Sequence, residues 1–384
     1  MTRRLARLGL AGWLGSAACG APPSLGPFVP APPAPREAID VTLFLIGDAG
    51  APATPPDSEP VLVALRTEAA AAPNSVIVFL GDNVYPDGMP DSAAAGRREA
   101  ERRLDAQVEV VRATGGRGIF LPGNHDWAGN HADGWEAVRR QGRYLAGRRD
   151  ARVSLLPGHG CPGPASVDLG ATVRLVVLDT QWWLRDGPRP RDPTSSCRAD
   201  SEAELTDSLR AAMRGVGARR VAVVGHHPLE SGGPHGGHFN VKDHLFPLTA
   251  WKEWLWLPLP IIGSAYPIAR TSGVSDQDVS GSTYRRLRAA LDTVFREMPP
   301  LVYAAGHDHA QQVIAGRNAR YLLVTGGGYY GHVSPVAWRD STRFAASYSG
   351  YMRLDVQRDG RVRLGVRAVD RTAAAREVFS LWLE

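Results

Sequence analysis

The sequence predicts an α/β chain of the α+β type. It forms a four-layer αββα sandwich, two mixed β-sheets flanked by helices, with its functional residues past the carboxyl ends of the strands. Three observations predict it. Short apolar runs alternate with helix-period segments early and late in the chain. Five of those runs end in similar polar punctuation: Gly47-Asp48-Ala49-Gly50, Gly81-Asp82-Asn83-Val84-Tyr85, Gly123-Asn124-His125-Asp126, Gly225-His226-His227-Pro228 and Gly306-His307-Asp308-His309. The chain closes on two alternating strands joined by Arg358-Asp359-Gly360, a hairpin with a turn signal. Open α/β sheets put their sites past strand ends, where this punctuation stands.

The elements follow in order. Residues 1–19 read as an export signal: Arg3, Arg4 and Arg7, then an apolar run from Leu8 to Ala18 too short to span a bilayer. Thr2-Arg3-Arg4 hints at twin-arginine export. Cys19 follows small residues, as at a bacterial lipoprotein cleavage site, although Ser16 stands where Leu or Val is usual. An ordinary signal peptide with an incidental Cys is the alternative. Residues 20–38 are a Pro/Ala-rich extended spacer. The domain runs from 39 to 384. Strands are expected at Val41–Ile46, Val76–Leu80, Gly118–Leu121, Val173–Leu178, Val221–Val224, Leu301–Ala305, Tyr321–Val324, Tyr351–Val356 and Val362–Val369. Helices are expected at Val61–Ala72, Arg97–Ala113, Trp135–Arg149, from Ser201 to about Arg214, and at Ser282–Glu297. Ser201 with Glu204 is a capping-box signature.

With 384 residues the chain can bury a large core. Its net charge of +5 includes Arg3, Arg4 and Arg7, so it falls to +2 without residues 1–18. No basic stripe remains to recruit nucleic acid. Cys161 and Cys197 sit in Gly/Pro/Ser-rich loops. In an exported protein they suit a loop-tying disulfide, with two free thiols as the alternative.

The five loops offer seven donors: Asp48, Asp82, Tyr85, Asn124, His226, His307 and His309. Carboxylate, phenol, amide and imidazole together suit Fe, Mn or Zn, and the lack of Cys excludes a structural zinc cluster. Seven ligands are too many for one ion and suit two with a shared carboxylate. Such a pair clamps a phosphoryl group and activates water.

These blocks resemble the calcineurin-like metallophosphoesterases, and most closely the small, animal-type purple acid phosphatases. Gly81-Asp82-Asn83-Val84-Tyr85 carries the Tyr that distinguishes that group, and Gly50 stands where wider members have His. The resemblance implies that Asp48, Asp82, Tyr85 and His309 hold one metal, with Fe(III) favoured by the phenolate. Asp82, Asn124, His226 and His307 would hold the other, which is Fe(II), Zn or Mn. Asp82 would bridge the two. His125 would bind phosphate and protonate the leaving group, and His235 falls where a second substrate-facing His is expected. Asp126 is read as a helper that orients His125 or its neighbours, with a turn-capping role as the alternative. The implied activity is hydrolysis of phosphate esters, foremost monoesters in the manner of an acid phosphatase. A diesterase or a nucleotide or phospholipid-headgroup hydrolase of the same fold, and a non-catalytic envelope-anchored binding lipoprotein, are the alternatives.

Plainer readings stand beside these. Asp48 and Asp82 could be helix N-caps. His227, next to Pro228, is expected to be structural, as is Asp179. His131, His159 and His332 are expected to be loop residues, with His238 and His244 outside the site. A Trp-rich insertion at about 236–280, with Trp251, Trp254 and Trp256 before Leu257-Pro258-Leu259-Pro260, reads as a packing flap, a substrate lid or a membrane-interface patch.

Overall fold

The computed structural model describes residues 29–55, 58–191, 195–250 and 254–384. The export segment with Cys19, the first part of the spacer and Trp251 lie outside the described residues. Two seven-stranded mixed sheets face each other. The first takes β1 (Ile39–Ile46), β2 (Ser75–Phe79), β3 (Arg117–Phe120), β4 (Val153–Leu155), β12 (Gly350–Gln357), β13 (Val362–Val369) and β14 (Ala375–Leu383). Its order is β14-β13-β12-β1-β2-β3-β4. The second takes β5 (Ala165–Leu169), β6 (Val173–Val177), β7 (Arg220–Val224), β8 (Val302–Ala305), β9 (Gln311–Ala315), β10 (Tyr321–Thr325) and β11 (Thr342–Ala346), in the order β11-β9-β10-β8-β7-β6-β5. The first sheet is parallel from β1 to its edge strand β4 and antiparallel from β1 through β12 and β13 to β14; the second is parallel across β6-β7-β8-β10 with antiparallel strands at both margins.

The period of two along β1 explains the layering. Val41, Leu43 and Leu45 join the core between the sheets, with Val78, Leu175, Val224, Ala304 and Leu354. Phe44 and Ile46 face the other way, into a core shared with the helices. On the first sheet that outer layer is α1 (Pro60–Ala71), α2 (Arg97–Thr114) and α3 (Gly134–Gly147); on the second it includes α4 (Gln181–Leu184), α5 (Glu202–Met213) and α8 (Ser282–Glu297), with the short helices α6 (Val241–Leu245) and α7 (Ala265–Thr271) lying between α5 and α8 in the chain. The capping box at Ser201 and Glu204 forms as expected.

Eight strands and α-helices escaped the sequence, two of them the short helices Val241–Leu245 and Ala265–Thr271 of the insertion. β4 is three residues long, and β9 opens on Gln311-Gln312, which are nevertheless buried. β14 carries Arg376 and Glu377, and Glu377 pairs with Arg363 and Arg367 of β13. Such polar or short segments carry no apolar period; their neighbours make them strands. β5, β11 and α4 are the others. Within the spacer, Ala31 donates to Ser380 Oγ and Arg363 bonds the Ala31 and Pro32 carbonyls, so its last residues rest on the sheet. Cys161 and Cys197 form a disulfide.

Glu68 of α1 ties the helix layer to the sheet. It accepts from Tyr351 Oη at 2.7 Å, Arg353 Nη1 at 2.9 Å and Arg367 Nε at 3.0 Å. Burial alone would raise its carboxyl, but Arg367 and Arg353 hold it below the usual value of 4.5. A depressed carboxyl contributes stability above its unfolded pKa and loses it as pH falls through the folded one. Glu68→Gln removes one of two carboxylate partners from each guanidinium, Arg353 keeping Asp355 and Arg367 keeping Glu377. It is expected to cost about 1–2 kcal/mol at pH 7. In urea melts the deficit should shrink below about pH 4.5, where the wild-type carboxyl also protonates.

Candidate metal centre

The donors stand on the loops that follow parallel strands of both sheets: Asp48 after β1, Asp82 and Tyr85 after β2, Asn124 and His125 after β3, His226 after β7, and His307 and His309 after β8. The loops are cross-tied. Gly47 N–H donates to the Thr325 carbonyl at 2.8 Å, and Gly306 N–H to the His226 carbonyl at 3.0 Å. Asp48, Asp82 and His307 all adopt left-handed backbone, with φ of 61°, 54° and 69°. Strain of this kind collects at functional sites, because only a crowded surrounding can enforce it. Neither Asp caps a helix: Glu59 caps α1 and Gly96 precedes α2.

Each carboxylate uses one oxygen on backbone and offers the other to the cluster. Asp48 Oδ2 accepts from His307 N–H at 2.8 Å, and Asp82 Oδ1 from His125 N–H at 2.8 Å. Asp48 Oδ1 lies 3.1 Å from Tyr85 Oη and 3.4 Å from His309 Nε2, and Tyr85 Oη lies 3.4 Å from that same nitrogen. This is one donor set. In the other, His226 Nε2 is 3.4 Å from Asp82 Oδ2 and 3.0 Å from Asn124 Oδ1, and His307 Nδ1 is 3.0 Å from the same Asn124 oxygen. Ligand atoms about 2.1 Å from one cation stand about 3.0–3.4 Å from each other in octahedral or tetrahedral geometry. Both donor sets have that spacing, so the residues fit cations.

The outer nitrogens set the tautomers. His226 Nδ1 lies 2.8 Å from the Leu80 carbonyl, and His307 Nε2 lies 2.9 Å from the Gln277 carbonyl. Both bonds require N–H on the outer nitrogen and leave the inner one free to ligate. His227, though its ring lies close to His226 and His307, uses both nitrogens, on Thr180 Oγ1 at 2.7 Å and Gln277 Oε1 at 3.0 Å. It is therefore structural, as expected. Electrostatics favour positive charge here. Burial opposes ionisation of Asp82, but His226 and His125 hold its carboxyl well below the usual range. Burial opposes a charged His226, yet Asp82 pushes it up to about 9. A cation would take over the role of that proton. Burial, Asp48 and Asp82 together hold the Tyr85 phenol well above its ordinary value, an environment that a cation inverts.

Gly50 has a steric cause. A Cβ there would stand 2.4 Å from the Asp82 carbonyl oxygen, so no His side chain can start from this backbone. Gly123 is equally confined, its Cβ position 2.3 Å from Asp82 Oδ1.

His125 lies at the edge of the cluster. Its Nδ1 bonds the Pro86 carbonyl, and its Nε2 faces Asp82 Oδ2 at 4.0 Å. His235 lies against the second set, its ring centroid 3.8 Å from that of His307 and its Nδ1 3.0 Å from Asp278 Oδ1. Arg270 pairs with the same carboxylate. Asp126 does not orient His125. Its buried carboxylate accepts from the N–H groups of Gly123, Asn83 and Val84 and from Asn83 Nδ2, so it ties the β2 and β3 loops together. It thus holds the neighbours of His125, Asp82 and Tyr85 in place, the helper and turn-capping readings in one, and no contact joins it to His125 itself. Asp179 is structural, accepting from Trp127 Nε1 and Trp182 N–H.

His332 was missed. Its ring centroid is 3.8 Å from that of His309, and it stacks on Tyr329 at 4.5 Å. Its Nε2 is buried without a hydrogen-bond partner. Burial and then His309 push it down to about 3. The glycine run Gly326-Gly327-Gly328 after β10 was the available signal, since β10 pairs parallel with β8 and ends beside it. A cavity of about 820 Å³ opens at the strand starts beside Asp40, Ser75 and Arg117, the opposite end of the sheets.

No protein-family model matches the chain, and no curated protein matches it in sequence. Solved structures do match. A structure titled GAP50, the anchor in the inner membrane complex of Plasmodium, aligns with a TM-score of 0.58 at 14% identity, over 90% of this chain and 89% of that one. A purple acid phosphatase, PPD1, from yellow lupin (Lupinus luteus) seeds aligns with a TM-score of 0.54 at 13% identity, over 89% of this chain and 53% of the lupin chain. PhoD aligns with a TM-score of 0.53 at 13% identity, over 92% and 72%. At such identities the likeness is one of architecture: the chain has the two-sheet fold that a purple acid phosphatase and PhoD also adopt.

Proposed function

We propose that the protein is an exported metal-dependent phosphoesterase, foremost a monoesterase, that holds two metal ions. The observation that supports this is the pair of donor sets at ligand spacing, with Asp48, Asp82 and His226 offering ligand atoms within 4.8 Å of one another. Asp48, Tyr85 and His309 would hold one ion, and Asn124, His226 and His307 the other, with Asp82 shared. A phenolate ligand favours Fe(III) in the first set; Fe(II), Zn or Mn suit the second. When bound, the metals supply Lewis-acid stabilisation of phosphoryl charge and a nucleophile from water. The chain's own groups supply the rest. Asp48 and Asp82 each present one fixed oxygen, and the Leu80 and Gln277 carbonyls lock the imidazoles. His125, part-exposed with its Nδ1 tied to Pro86, keeps Nε2 available to bind phosphate and to hand a proton to the leaving oxygen. His235, backed by Asp278, is placed to meet the substrate from the other side. The disulfide supports an oxidising, exported setting.

The test is metal content and the visible spectrum of purified protein beside phosphate release. Two metals per chain, a tyrosinate–Fe(III) band lost in Tyr85→Phe, and turnover of p-nitrophenyl phosphate over bis-p-nitrophenyl phosphate are expected. A metal-free protein that still hydrolyses would overturn the proposal, and a preference for the diester would redirect it. His125→Asn should lower kcat about 100-fold on alkyl phosphates and far less on p-nitrophenyl phosphate, whose leaving group needs no proton.

A further inference from the structure

We propose that the exposed apolar side chains of Val241–Leu245 and of residues 254–274 seat the protein on a lipid surface, where the metal centre meets phosphate monoesters carried by lipid. The substrate half of this rests on the phosphoesterase reading above. Nine of the thirteen exposed large apolar side chains among the described residues fall in these two stretches, so the exposure is concentrated and not the usual scatter. At its tip Ile261 is 90% exposed, and Ile262 and Trp254 are each 74% exposed. Ile261 also takes φ 70°, a left-handed backbone that a β-branched residue adopts only under strain. The domain therefore holds an apolar side chain outward on a strained backbone.

The patch is preformed. Lys242 Nζ sits 4.5 Å above the Trp256 ring, and Phe246 packs on the same ring at 5.3 Å. Leu259 N–H bonds the Leu245 carbonyl at 2.8 Å, and Gly263 N–H bonds the Leu259 carbonyl at 2.7 Å, which folds the tip back on the short helix Val241–Leu245. Its residue types are those of a membrane interface, Trp with Ile and Leu, and its Lys has a long stem that lets the charge stay in water. Charge distinguishes the occupant. Around the insertion, Lys242, Lys252 and Arg270 are matched by Asp243, Glu253, Asp276 and Asp278. Attraction to anionic headgroups is thus not the driving term, and apolar insertion is.

The patch leads to the metal centre. The insertion ends at Gln277, whose carbonyl holds His307, and at Asp278, which holds His235. Three of the four remaining exposed apolar side chains, Tyr330, Val333 and Tyr348, lie on the segment that carries His332. Arg339 of that segment bonds the Gly236 carbonyl at 2.8 Å, so the two apolar segments adjoin beside the cluster. A lipid surface in contact with both would present its phosphates at the metal ligands.

The test uses the full chain with Cys19→Ser, which removes the thiol that a lipid anchor would need, and compares it with the same chain carrying Trp254→Ser, Ile261→Ser and Ile262→Ser. The parent should float with phosphatidylcholine vesicles equally at low and high salt, and brominated lipid should quench its Trp fluorescence. The triple variant should bind at least about 10-fold more weakly. With phosphatidate in the vesicles it should lose hydrolysis by a similar factor, while turnover of soluble p-nitrophenyl phosphate is unchanged. A parent that does not float, a variant that floats as well, or a patch that instead joins two copies in sedimentation would each overturn the proposal. If neither protein hydrolyses the soluble ester, the phosphoesterase reading fails, and flotation still decides whether the surface binds lipid.

Discussion

Asp82→Asn is expected to lose both metals and reduce phosphate-ester hydrolysis by at least about 1000-fold, with the fold intact. Under the proposed function Asp82 would be the carboxylate shared by the two ions, and it offers a ligand atom within 4.8 Å of those of Asp48 and His226. Its Oδ1 holds the backbone of His125, and its Oδ2 lies 3.4 Å from His226 Nε2. Asn keeps the shape and can keep the amide acceptor for His125 N–H. It removes the negative charge that drives His226 upward and that would balance two cations. Metal analysis should read near zero while circular dichroism and the urea midpoint stay close to wild type. An Asn variant with two metals and full turnover would remove Asp82 from the site altogether.

Asp126→Ala is expected to have the largest effect on stability, about 3–5 kcal/mol in urea melts. The carboxylate is fully buried and accepts from the N–H groups of Gly123, Asn83 and Val84 and from Asn83 Nδ2. Truncation leaves these donors without a partner in a place water does not reach. Because Asn83 and Val84 lie between Asp82 and Tyr85, metal affinity should fall along with stability. Asp126→Asn, which retains an acceptor oxygen, should lose less of both. A variant with wild-type stability but no activity would return Asp126 to a direct catalytic role.

Much of the fold was legible in the sequence for a local reason. The buried parallel strands are continuous apolar runs: Val41–Ile46, Val76–Leu80 and Val221–Val224 each coincide with an observed strand to within a few residues. The donor positions were legible for a second local reason, since a Gly-polar step directly after a strand places its side chain at the sheet end. What stayed hidden depends on contacts distant in sequence. β14 is a strand because β13 pairs with it and supplies Arg363 and Arg367 to Glu377. His332 is a loop residue, as its sequence suggests, but only the parallel pairing of β10 with β8 brings that loop against His309. Asp126 looked catalytic because its position next to His125 says nothing of which way the carboxylate turns.

The sequence alone determined the two-sheet architecture and pointed to the seven donor positions proposed here, because apolar periodicity and strand-end chemistry are written in neighbouring residues. Only the tertiary structure decided which nitrogen of each His faces inward, why position 50 must be Gly, and that His332 and the insertion reach the cluster. Those depend on distances between loops of two different sheets, which chain order does not encode and packing alone sets.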